Sequence, residues 1–179
     1  MIVVTGAAGF IASNIVEALN QAGFRDLVLV DDFSKAEKRG NYENKQYDSL
    51  LHRDVFLDYL RENNKNIDFV IHLGARTDTT EFDYNVFQKL NVDYTIGLWN
   101  LCVEYQIPLI YASSAATYGM GELGYDDGHD IVERLRPLNP YGRSKNEIDK
   151  YILNQFKICN GFRNNKFNFS KRGAMPLKY

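Results

Sequence analysis

Ile2-Val3-Val4-Thr5-Gly6-Ala7-Ala8-Gly9-Phe10-Ile11-Ala12 lies at the start of the chain and decides how the rest is read. A short β-branched run ends in two glycines three residues apart, and an apolar stripe of helical spacing (Ile11, Ile15, Ala18, Leu19, Ala22) begins inside the same segment. The pattern predicts a buried strand, a tight turn and a helix. Gly6 would allow the turn. Gly9 would let the backbone approach an anion at the helix N-terminus, where unpaired N–H groups and the helix dipole favour negative charge. Ala12 fills the third small position, where helix-on-strand packing tolerates a methyl. An ordinary βα turn could carry the same residues. Asp31, however, ends the next apolar run, Leu27-Val28-Leu29-Val30, close to the spacing of about 20 residues expected of a ribose-binding carboxylate. Together they point to a dinucleotide.

Two further runs, Phe69-Val70-Ile71-His72-Leu73 and Ile107-Pro108-Leu109-Ile110-Tyr111, also lack polar alternation, as parallel strands buried on both faces do. Between the runs lie helical stripes: Val86, Leu90, Tyr94, Leu98, Leu101, Cys102 and Tyr105, then Ile148, Tyr151, Ile152 and Phe156. Strand and helix alternate over residues 1–157. That alternation predicts an α/β fold with a doubly wound parallel sheet, Rossmann-like, and 179 residues suit one domain. Residues 32–50 and 115–138 read as long irregular stretches, the second carrying Gly119, Gly121, Gly124 and Gly128.

Composition excludes several classes. With 45% hydrophobic and 25% charged residues the chain is globular rather than disordered. It has no apolar run of the roughly 18 residues a membrane helix needs, and Met1 leads into a strand without a basic leader. A soluble, cytoplasmic protein is expected, with no membrane partner. Cys102 and Cys159 stand alone, without metal-ligand or disulfide spacing, and read as packed thiols; no metal is expected. The net charge of −2 is uneven: residues 1–150 carry 15 basic against 23 acidic side chains, a net of −8, while residues 151–179 carry six basic ones and no acid. An acidic body argues against nucleic acid as a partner.

The choice of dinucleotide stays open on residues alone. Asp31 suits a free 2′-hydroxyl (NAD), whereas Lys35, Lys38 and Arg39 in the adjoining loop could pair with a 2′-phosphate (NADP) or simply be solvated. Leu73-Gly74-Ala75-Arg76 has small residues that would let the chain pass beneath a nucleotide, and His72 reads as a packed strand histidine. At the other end of the sequence Tyr141-Gly142-Arg143-Ser144-Lys145 places a phenol and an ammonium four apart on a helix, hence on one face. A phenol is a poor base near neutral pH, and a neighbouring ammonium favours its phenolate. Ser114, after the Ile107–Tyr111 run, could hydrogen-bond a substrate oxygen while Tyr141 removes its proton and hydride leaves for a nicotinamide.

With these residues in place the sequence resembles the extended short-chain dehydrogenase/reductases and, within them, the ADP-glyceromanno-heptose 6-epimerases. The wider resemblance rests on Thr5 to Ile11, Asp31, Tyr141 and Lys145. The narrower one rests on Gly74-Ala75-Arg76-Thr77-Asp78-Thr79-Thr80-Glu81, Tyr111-Ala112-Ser113-Ser114-Ala115-Ala116-Thr117-Tyr118-Gly119 and Pro137-Leu138-Asn139-Pro140-Tyr141-Gly142. It covers residues 1 to about 163, the expected dinucleotide-binding domain, and leaves 164–179 as a divergent basic tail. The resemblance implies NADP, with Phe10 and Ile11 at the pyrophosphate, Asp31, Asp32 and Lys38 at the adenosine ribose and its phosphate, and Leu73, Gly74, Ala75, Arg76 and Thr77 under the nucleotide. By the same resemblance Arg53 and Asn91 fall at or near cofactor contacts, and Ser114, Tyr141 and Lys145 match the catalytic triad. The implied substrate is ADP-heptose, inverted at C6″ through a transient ketone for lipopolysaccharide core synthesis, in a family that assembles as homo-oligomers. Nucleotide-sugar dehydratases of the same superfamily place Thr-Asp-Glu where this chain has Ser114-Ala115-Ala116, which leaves no carboxylate for elimination.

Beyond Arg163 the family pattern stops. The expected second catalytic lysine has a faint echo in Lys171, and the substrate subdomain is largely absent from the sequence, as in a truncated or frame-disrupted member. The alternatives to the ADP-heptose epimerase that the resemblance implies are a dinucleotide-binding remnant without turnover and another nucleotide-sugar epimerase or dehydrogenase of the same superfamily.

Overall fold

The computed structural model describes residues 1–161 and 175–177. Five strands pair in parallel: β1 (Ile2–Thr5), β2 (Leu27–Asp31), β3 (Ser49–His52), β4 (Phe69–His72) and β5 (Leu109–Ala112), in the order β3-β2-β1-β4-β5. Val3 lies opposite Val28 on one side and Val70 on the other, and Val70 lies opposite Leu109. The neighbours Val3 and Val4 are both fully buried. Successive strand residues point to opposite faces, so both faces of β1 are covered, as its unbroken apolar run requires. The chain starts at the centre, runs to one edge through β2 and β3, then returns to the far side of β1 at β4. The carboxyl ends of β1 and β4 therefore flank the point where the winding reverses, which is where such sheets bind ligands.

Strand β3 begins at the end of the stretch that reads as a loop and runs two residues past it. It is an edge strand, paired with β2, and its residues alternate between half-buried and exposed, so Ser49 and His52 are tolerated and no apolar run announces it. Helix α2 (Arg53–Asn63) follows directly, with His52 Nδ1 accepting the Asp54 N–H at 3.3 Å as its cap. Its buried face is carried by Phe56 and Leu60, one turn apart.

Helix α1 (Phe10–Gln21) follows β1 as expected. The long stripe from Val86 to Tyr105 is broken into α3 (Tyr84–Phe87), a π-helical segment (Gln88–Asp93) and α4 (Tyr94–Glu104). The stretch 115–138 contains two short 3₁₀ turns, Ala115–Tyr118 and Val132–Arg134, and α5 runs from Pro140 to Gly161. A sixth short strand, β6, spans Met175–Leu177. No helix among the described residues is long and apolar enough to cross a membrane.

The chain divides into two compact units. The first comprises Met1–Ala75 and Asn100–Tyr111, the second Arg76–Trp99 and Ala112 onward. In the first, Val4, Ala7, Ala8, Ala12, Val16, Leu27 and Leu29 form a core with Tyr42, against whose ring Phe33 stands edge-on at 4.9 Å. In the second, α5 packs on α3, on the π segment and on both 3₁₀ turns, and Tyr118, Ile131 and Leu135 form a small cluster.

Candidate active site

In the first unit the turn after β1 is built by close backbone approach. Gly6 has φ +71°, and a Cβ there would lie 2.7 Å from the Gly74 nitrogen, so no side chain fits between the ends of β1 and β4. The Thr5 hydroxyl ties the same two ends, accepting the Gly74 N–H at 3.2 Å and sharing a 2.6 Å hydrogen bond with Nδ1 of buried His72. His72 is thus a packed strand residue. Gly9 caps α1 with its backbone, and no side chain takes up the N–H groups of the first turn. Phe10 and Ile11, at 79% and 68% exposed, stand beside that terminus.

The Asp31 carboxylate accepts the Ala8 N–H at 2.9 Å through one oxygen and the Asp32 N–H at 2.7 Å through the other. Asn41, whose residue type and spacing carry no signal, donates to the Ala8 carbonyl at 2.8 Å. The Ala8 peptide is held from both sides. Each Asp31 oxygen keeps a second lone pair for a ribose hydroxyl. Hydrogen bonds from the Ser34 hydroxyl and N–H hold the Asp32 carboxyl below the usual carboxylate range, with smaller help from Arg53, 3.5 Å away, and His52. Lys38 is half-buried in the 3₁₀ turn Ala36–Asn41, Lys35 is exposed, and Arg39 pairs with Glu43 at 3.0 Å. Leu73, Gly74 and Ala75 continue from β4 half-buried. A helix terminus without a side-chain cap, a turn in which a Cβ would collide, and a carboxylate followed by basic side chains fit the phosphates and ribose of a dinucleotide.

The second unit holds Ser114, Tyr141 and Lys145, the residues that the sequence singles out for proton transfer. Asn139 accepts the Gly142 N–H at 2.7 Å and Pro140 takes the first helical position, so α5 starts where the local sequence dictates. A Cβ on Gly142 would meet the Ala116 carbonyl oxygen at 2.5 Å, so the first turn of α5 lies directly against the turn that follows Ser114. Tyr141 and Lys145 share a face of this helix. Lys145 is 3% exposed, and its Nζ donates to the Ala112 carbonyl at 3.0 Å, at the end of β5. Burial pushes its ammonium down to about 8, while the Asp149 charge works in the opposite direction. The Ser114 hydroxyl accepts the Ala116 N–H at 3.2 Å, and Tyr141 is half-buried.

Asn91, in the π segment, is fully buried and spent within the protein: it accepts the Arg76 N–H at 2.7 Å and donates to the Arg76 carbonyl and to Ser144 Oγ, both at 3.0 Å. Ser144 in turn donates to the Tyr141 carbonyl at 2.7 Å. Asn91 therefore holds the backbone at Arg76 and braces α5. Arg76 pairs with Asp78 at 2.9 Å, and Thr77 is exposed. Sequence reasoning missed Ser113 and Asp149, whose side chains meet at 2.5 Å. A signal existed, because Asp149 extends the row of Tyr141 and Lys145 by one more turn, on a helix whose neighbouring Ile148 and Ile152 are buried. Cys102 is buried, and burial lifts its thiol to about 12, as expected of a packed thiol. Lys171 lies outside the described residues, as do most of the basic tail and the side chain of Cys159.

Residues 2–162 match the NAD dependent epimerase/dehydratase family. The ADP-L-glycero-D-manno-heptose-6-epimerase of Fusobacterium nucleatum is 44% identical over 170 residues, covering 91% of this chain and 51% of its own length. That of Nitratidesulfovibrio vulgaris is 41% identical over 160 residues, covering 88% and 50%. The crystal structure of the Helicobacter pylori ADP-L-glycero-D-manno-heptose-6-epimerase superposes with a TM-score of 0.69 at 25% identity, over 86% of this chain and 50% of that one, and bears out the doubly wound fold. The chain spans about half the length of the curated relatives it matches. A nicotinamide dinucleotide agrees with the family's description as NAD dependent and with the turn after β1. On the match over residues 2–162 and the fold that carries it, the chain belongs to the NAD dependent epimerase/dehydratase family.

Proposed function

We propose that this chain carries the cofactor-binding and proton-transfer residues of a nucleotide-sugar epimerase that interconverts the two C6″ epimers of ADP-glycero-manno-heptose, with NADP preferred over NAD. The observation that carries the reading is Lys145, buried one helical turn after Tyr141 and tethered to the carbonyl two residues before Ser114. Tyr141, one turn before this ammonium, takes the proton from the C6″ hydroxyl, while Ser114 hydrogen-bonds the same oxygen as it becomes a carbonyl. A bound nicotinamide supplies hydride acceptance and return, so the sugar is reduced again from its other face with no net redox change. Ala115 and Ala116 follow Ser114, so no carboxylate stands there to eliminate water, and epimerisation fits better than dehydration. The choice of sugar rests on the relatives at 44% and 41% identity. The preference for NADP rests on half-buried Lys38 and on Arg53 beside Asp32.

The test is incubation of the protein with one ADP-heptose epimer and NADP⁺, the two epimers being resolved by chromatography. The second epimer appears with a version extended to the full length of the relatives, whereas this chain by itself is expected to bind the cofactor weakly without turning over ADP-heptose. With Tyr141→Phe its rate falls roughly 10²–10⁴-fold while NADP affinity is kept, because the ring still packs and the proton acceptor is gone. Full turnover in Tyr141→Phe would remove Tyr141 from its role, and cofactor binding without any interconversion by the extended version would favour a dinucleotide-binding module instead.

A further inference from the structure

Two charges on α5 are buried one turn apart, Lys145 at 3% and Asp149 at 2% exposure. They grip consecutive residues where the chain leaves β5: Lys145 Nζ reaches the Ala112 carbonyl at 3.0 Å, and the Asp149 carboxylate accepts the Ser113 hydroxyl at 2.5 Å. The next residue is Ser114. An ammonium removed from water is disfavoured unless an anion stays close, and a carboxylate on the same helix face supplies that anion. We infer that Asp149 is a positioning residue of this site: through Ser113 it holds the corner from which Ser114 departs, and it keeps Lys145 protonated so that Lys145 can serve Tyr141. The inference rests on the proposed role of Tyr141 and Lys145 and deepens it.

The other groups packed on this helix do not substitute for Asp149. Tyr118, in the turn Ala115–Tyr118, feels the Asp149 charge and hydrogen-bonds Asp127. Tyr84 of α3 hydrogen-bonds Glu147 beneath the Arg143 guanidinium, and Glu133 faces Lys150 at 3.9 Å. Asn91 of the π segment reaches Ser144 with an uncharged amide. Of all these groups, Asp149 is the anion whose charge favours the Lys145 ammonium.

The test is a nuclear magnetic resonance titration of the full chain, labelled at lysine Cε and aspartate Cγ, without cofactor or sugar; Lys145→Met assigns the Lys145 signal. In Asp149→Asn the Lys145 midpoint falls by about one pH unit or more, and Asp149→Glu restores it. In the parent protein the Asp149 carboxyl carbon shows an inflection at the Lys145 midpoint, a measurement that needs no variant to fold. An unmoved Lys145 midpoint in folded Asp149→Asn, or no inflection at Asp149 in the parent, overturns the inference. Because the titration involves neither cofactor nor substrate, a failed epimerase assay leaves it standing, and active protein with an unmoved Lys145 sinks it alone.

Discussion

At Lys145 burial outweighs the Asp149 charge, so the folded protein releases this proton at about 8 where a free lysine holds it to 10.5. Between those values the unfolded chain binds more protons than the folded one, so this group makes stability rise with pH across the window, and below about pH 8 its buried charge is a standing cost. The parent protein should therefore gain on Lys145→Met in denaturation midpoint as the pH is raised from about 7 to about 10. A difference between the two that stays constant with pH would mean that the ammonium is not buried in solution. Under the proposed function Lys38 acts through the cofactor instead. Its half-buried place in the turn after β2 suits a charge-assisted contact worth about 1.5–3 kcal/mol, so Lys38→Ala should weaken NADP binding roughly 10- to 100-fold and leave NAD binding nearly unchanged. Calorimetric titration of both cofactors reads this directly, and equal losses for the two would remove the 2′-phosphate from the explanation.

Among the elements, α5 joins the most chemistry to the least space. Gly142→Ala places a Cβ 2.5 Å from the Ala116 oxygen and 3.0 Å from its carbon, so the helix start or the turn after Ser114 must move. Overpacking of this kind costs about 1–3 kcal/mol, which urea denaturation would show, and under the proposed function the epimerase turnover of a full-length version should fall further than stability does because Tyr141 moves with the helix. Stability and turnover both unchanged would show that the turn yields freely. The sequence reveals such elements unevenly. The strands β1, β2, β4 and β5 are legible because burial on two faces demands unbroken apolar runs. Strand β3 is not, because an edge strand half in solvent keeps Ser49 and His52 at no penalty. The stripe from Val86 to Tyr105 marks a helix correctly but cannot show that the backbone widens into a π segment around Asn91, since that widening answers to hydrogen bonds with Arg76 and Ser144, 15 and 53 residues away.

On the scale of the whole molecule, two compact units share one helix: α4 runs through the division, with Trp99 in the second unit and Asn100 in the first. Trp99 is the sole tryptophan and is 2% exposed, so its fluorescence reports unfolding of the packing around it. The fluorescence and far-ultraviolet dichroism transitions in urea should coincide; separate midpoints would mean that the units unfold independently. What the sequence determined by itself is what depends on local spacing. The β1–α1 turn with its glycines, Asp31 one strand later, and Tyr141 and Lys145 one helical turn apart need no knowledge of distant residues, because a period of two or of 3.6 already assigns the faces. Tertiary structure alone decided which polar groups are buried and against what. Thr5 between His72 and Gly74, Asn41 on Ala8, Asn91 on Arg76 and Ser113 on Asp149 join positions from 15 to 69 residues apart. Such contacts leave no period in the chain, because a buried polar group is satisfied by whichever partner the packing brings within about 3 Å.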